Sequence, residues 1–280
     1  MAVSVSSRSA VIRLLVIPLL IYAAWLLESF LLDGSRHLFS YADPSGIILY
    51  TIITCVLIGT VVPFICLRKS FISGWVNMFQ IGFRSPRRII LFCSLTFIGG
   101  SAMVVTSSPF GGDWLEFLNV LFLVLPTAIA SVMVCWVFVG THVQALVRSS
   151  GARVSIPVGV VVTAVLFGVT VLSHSLVVGK QDAVFWFLCA GILAALFFFS
   201  VRDVYAATLV VAFSLVFLMA GNIDLTYIRT SVPAVYISAL ITIAALVAVH
   251  LYFSRNFKTI LVPVMEEQKQ KNPENVHKNH

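Results

Sequence analysis

Along the chain, apolar runs of about 20 residues alternate with short stretches that hold nearly all of the charges. Eight runs fit membrane-crossing helices, at 11–32, 46–67, 89–106, 115–139, 156–177, 183–200, 204–221 and 232–253. Hydrocarbon offers backbone amides no partner, so a spanning segment must satisfy its own hydrogen bonds over roughly 20 apolar residues. Runs such as ILAALFFF (192–199) and LITIAALVAV (240–249) are apolar on every face. They lack the two-residue alternation of a membrane β-barrel strand. The predicted class is all-α, a polytopic transmembrane bundle of about eight helices spanning residues 1–263.

Composition agrees with the pattern. The 280 residues are 60% hydrophobic and 10% charged, with a mean hydropathy of +1.04. A soluble domain averages about 25% charged residues, and no stretch of this chain reads as one. The polar tail at 264–280 is expected to be disordered and cytoplasmic.

Charge sets the orientation. All but three (Arg36, Lys180, Arg229) of the 18 lysines and arginines fall on one side of the eight-helix arrangement. The positive-inside rule makes that side cytoplasmic and places both termini there, in a multi-pass protein of the cytoplasmic (plasma, or cell inner) membrane. The net charge of +7 then serves topology and anionic headgroups, and nucleic acid is not expected as a partner. Arg8 and Arg13 precede an apolar run as in a signal peptide. That run is about 20 residues long and lacks a small-residue cleavage site, which predicts an uncleaved first helix. Residues 68–88 mix Phe71, Trp75, Met78, Phe79 and Ile81 with basic ends. They read either as a segment lying in the headgroup region or as a loop with topogenic charge. Two small-residue patches, Gly99–Ala102 and Gly191 with Ala194 and Ala195, predict close helix packing.

Chemistry is sparse. The five cysteines sit in or beside apolar runs without metal or disulfide spacing. No phosphate-binding glycine loop, HExxH or GxSxG occurs. No metal and no cofactor are expected. Intramembrane charge by default marks function, and four candidates fall near the non-cytoplasmic boundary: Glu28, Asp113, Glu116 and His174. Each lies within roughly one helical turn, about 5 Å, of that boundary, where a side chain can reach water. The sharper alternative joins Glu116 and His174 in one outward-facing polar pocket.

His142 lies about a turn beyond the cytoplasmic end of the fourth run. Val139, Val143, Leu146 and Val147 continue its apolar face, so Thr141, His142, Gln144 and Arg148 are expected to form a wet side where the helix leaves the lipid. No acid or nucleophile accompanies His142. Cys135 is two turns away, roughly 10 Å along the axis.

The order IGFRSPRR (81–88), LPTAIASVMVCWVFVGTHVQ (125–144), VLFGVTVLSH (165–174) and GILAALFFFSVRDVYAATLVV (191–211) resembles the CPBP family. That family includes type II CAAX prenyl endopeptidases and bacteriocin-processing or immunity proteins. The resemblance covers 81–217 and implies eight helices. In active members it also implies Glu-Glu-x-x-x-Arg in the fourth helix, Phe-x-x-x-His in the fifth and His-x-x-x-Asn in the seventh, which together activate a water. Here Cys135 and Trp136 stand where the glutamates belong and Gly140 where the arginine belongs. A one-residue shift substitutes Val134, Cys135 and Val139. Phe167 fits the phenylalanine, but Val171 takes the histidine position and His174 lies three residues on. In the seventh helix the positions fall near Val211 or Ala212 and near Leu215 or Val216. The resemblance thus implies a degenerate member without catalytic residues: a scaffold or regulatory subunit whose partner is another membrane protein. The alternatives are an intramembrane protease with a divergent site, for which Glu116 and His174 are the one pair, and a small-solute transporter or permease component.

Overall fold

The computed structural model describes residues 11–34, 43–107, 111, 113–170, 173, 181–219 and 225–257. Among them are eight long helices and no strand: α1 (Ile12–Asp33), α2 (Pro44–Ile72), α3 (Pro86–Ser107), α4 (Trp114–Leu146), α5 (Ala152–Thr170), α6 (Gln181–Val201), α7 (Val204–Met219) and α8 (Leu225–Phe257). The all-α bundle expected from the apolar runs is what the structure holds. Seven helices are long and apolar enough to cross a membrane. The exception, α7, has 16 residues, about 24 Å at 1.5 Å per residue, against a hydrocarbon thickness of about 30 Å. The tail 264–280 lies outside the described residues.

Acidic and amide side chains mark the helix starts by capping free amides. Asp43 accepts from the Gly46 amide at 2.8 Å before α2, and Asp113 accepts from the amides of Leu115 and Glu116 before α4. The Ser45 hydroxyl and then the Gly46 amide hold the Asp43 carboxyl below the usual carboxylate range.

Helix α4 is the axis of the bundle. Its first half packs on α2, α7 and α8, and its second half on α5. The crossing with α2 is close enough that a Cβ at Gly59 would stand 2.6 Å from the Ala130 Cβ. Both helices widen locally into π register, over Thr51–Val61 and Val132–Gly140. The predicted small-residue contacts form in part: Gly100 meets the Phe213 ring of α7 and Gly191 meets Ala164 of α5, whereas Gly99 faces open space.

The segment after α2 is neither a plain loop nor wholly a headgroup-lying stretch. Val76, Ile81 and Phe83 are buried, whereas Phe79 stays outside beneath the Arg84 guanidinium, 4.0 Å from its ring centre. Gly82, with φ +88°, turns the chain inward, and its carbonyl accepts from the Val204 amide. A Cβ there would meet Phe198 at 3.1 Å, so glycine suits both the left-handed backbone and the space. The segment closes over the α6–α7 junction because its apolar residues find protein rather than lipid.

Candidate functional site

The described positions among those singled out by the family resemblance form a buried seam. Val134, Cys135, Trp136 and Val139 of α4 have no exposed surface. The Trp136 ring lies 5.1 Å from that of Phe167 in α5, which stacks in turn on Phe187 of α6. A Cβ at Gly140 would meet Thr163 at 2.9 Å and Phe199 at 3.0 Å. Val211, Ala212, Leu215 and Val216 of α7 are buried as well. The seam is closely packed apolar surface, and within it Trp136 Nε1 is buried without a hydrogen-bond partner. Val171 and His174 lie outside the described residues.

The polar candidates separate to the two ends of the bundle. Glu116, at the start of α4, forms an ion pair with Arg229 of α8. Its expected companion His174 falls outside the described residues. Asp113 serves as the α4 cap, and Glu28 is half-buried on α1. The sequence pointed to Glu28 and passed over Asp33, the buried carboxylate one turn further on. Also buried at that end, the Tyr50 hydroxyl lies 3.3 Å from both Ser29 Oγ and Thr127 Oγ1.

His142 departs from expectation. Helix α4 continues to Leu146, and Thr141, His142 and Gln144 are buried rather than wet, with His142 only 1% exposed; Arg148 alone of the four is exposed. The reason is that protein groups satisfy most of these polar atoms, Gln144 Nε2 being buried without a partner. Thr141 Oγ1 donates to the Val137 carbonyl. His142 Nδ1 is 2.7 Å from the Phe138 carbonyl, which can only accept, so Nδ1 carries a proton. In the neutral ring, Nε2 then accepts from Ser70 Oγ of α2, also at 2.7 Å.

Gln144 Oε1 accepts from Arg202 Nη2 at 2.7 Å. Arg202 sits in the two-residue turn between α6 and α7 with φ 56°, a backbone that costs about 1 kcal/mol for a residue with a Cβ. It is buried, with its guanidinium 4.8 Å from the Phe199 ring centre and its carbonyl accepting from Arg84 Nε at 2.8 Å. Burial first, and then the neighbouring Arg84 charge, push its pKa down to about 10, so it stays cationic at neutral pH. Asp203 beside it is buried, which raises its carboxyl pKa against the pull of the Ala206 and Tyr205 amides. It caps α7 through the Ala206 amide. The sequence offered Arg202 only as a topogenic charge. The one available signal was that just three residues, 201–203, separate two apolar runs, which forces that arginine into the packing.

At this same end a cavity of about 660 Å³ opens between the start of α1, the end of α2 and the end of α4. Its polar wall is Arg13, Lys69, Ser70, Ser73 and His142, and its apolar wall is Ile17, Cys66, Ile72, Trp75 and Phe138. No group of three metal-ligating side chains occurs among the described residues. Among the described residues its wall carries no carboxylate, and its one side-chain pair is the Ser70 hydroxyl on His142 Nε2. Compared with protein-family models, curated proteins and solved structures, the chain gives no match.

Proposed function

We propose that this chain is a degenerate relative of the CPBP family, seated in the cytoplasmic membrane, that acts without catalysis as a scaffold or regulatory subunit for another membrane protein. The observation that supports it is the seam: a general base must be a proton acceptor within hydrogen-bond reach of its water, and the α4 segment that resembles the family's catalytic stretch offers valine, cysteine and tryptophan with no exposed surface. What remains is a helical frame with an open cavity at its basic end.

Purification in mild detergent tests this. The expected result is a stoichiometric membrane-protein partner and no cleavage of prenylated or membrane peptides. A protein that purifies alone and cleaves such a peptide overturns it. The rival hydrolase would work through Glu116; the ion pair with Arg229 occupies that carboxylate, and Glu116→Gln is expected to leave partner recovery intact.

A further inference from the structure

The 660 Å³ cavity at the basic end has a charge imbalance that its own walls do not resolve. Arg13 comes from α1 and Lys69 from α2, and among the described residues no carboxylate lines the space with them. Two cations facing one cavity repel each other and hold a standing attraction for an anion. The Ser70 and Ser73 hydroxyls stand beside them. Ser70 is held in place by His142, itself fixed on the Phe138 carbonyl, so part of the polar wall is set before any ligand arrives.

The other wall is carbon: Ile17, Ile72, Trp75 and Phe138. A free inorganic anion would leave that wall and most of the volume unused, since a cavity of this size suits a molecule of many heavy atoms. Its place also matters. It opens where α1 begins and α2 ends, among the arginines and lysines that positive-inside sorting puts at the headgroup level, with Trp75 in the position of an interfacial aromatic.

We propose that this cavity binds the phosphate group of an anionic lipid, with Arg13 and Lys69 holding the phosphate and the carbon wall receiving the start of the acyl chains. The shared chemistry with free phosphate is the cluster of anionic phosphate oxygens; the apolar wall assigns it to a lipid. The inference stands whether or not the chain is a scaffold.

The test uses the full-length protein in detergent, titrated with dioctanoyl phosphatidic acid, dioctanoyl phosphatidylcholine or inorganic phosphate. Binding is followed by native mass spectrometry and by tryptophan fluorescence, with Trp75→Phe identifying the reporting ring. The expected result is saturable, salt-weakened binding of phosphatidic acid, none of phosphatidylcholine, and at most weak competition by inorganic phosphate. Arg13→Gln and Lys69→Gln should each weaken binding about fivefold, the order expected for one partly exposed charge, and about twentyfold together. Arg148→Gln removes an exposed charge outside the cavity and should change nothing. Equal melting temperatures for these variants show that the fold is intact. The proposal falls if the double variant binds like the wild type, if Arg148→Gln weakens binding as much, or if phosphatidylcholine binds equally well. Inorganic phosphate binding as tightly as the lipid overturns the lipid assignment.

Discussion

Helices α3 and α4 look alike as sequence, each a long apolar run, and they live in different surroundings. In α4, 94% of the membrane-crossing window is buried inside the protein; in the Phe79–Val104 span, which holds most of α3, 11% is. Ile90, Leu91, Leu95 and Ile98 of α3 point outward, where a bilayer would cover them. Lipid and protein interior are equally apolar, so the same residue types serve both. Burial in the bundle is decided by steric fit, and that is where substitutions should discriminate.

The largest effect is expected from Cys135→Glu, which places an acid at one of the resembled positions. An unpaired carboxylate in the buried seam costs several kcal/mol, so the variant should fail to fold or melt far below the wild type in a detergent thermal scan. A folded, peptide-cleaving variant would break the comparison at its centre. Trp136→Ala removes the ring packed on Phe167 and should cost about 3–5 kcal/mol, visible as a drop in melting temperature. Arg202→Ala strips the clamp on the last turns of α4 and leaves Gln144 unpaired. A loss of about 2–3 kcal/mol is expected, accompanied by faster proteolysis near residues 144–151. Leu95→Ala on the outer face of α3 should change stability by about 0.5 kcal/mol or less. A large loss there would show that α3 packs against protein in the native membrane, as the scaffold proposal requires of some outer face.

The eight elements were legible because backbone satisfaction in hydrocarbon demands long apolar runs, and this chain has little else. Helix ends were less so. The helical face expected to continue from Val139 to Val147 is present to Leu146, but its polar side is buried rather than wet. Thr141, His142 and Gln144 look like a wet face until Val137, Phe138, Ser70 and Arg202 supply their partners. Those partners lie up to 72 positions away in the chain, beyond the reach of a local pattern.

The sequence by itself determined the class of fold, the approximate spans and the absence of acidic residues from the stretch 134–140. Hydropathy, charge count and residue identity are local quantities. Only the tertiary structure decided that this stretch is a sealed seam, that a buried arginine ties three segments together, and that Arg13 and Lys69 face one cavity. Each of these depends on which distant surfaces meet, and apolar helices of similar composition carry no mark of their neighbours until they pack.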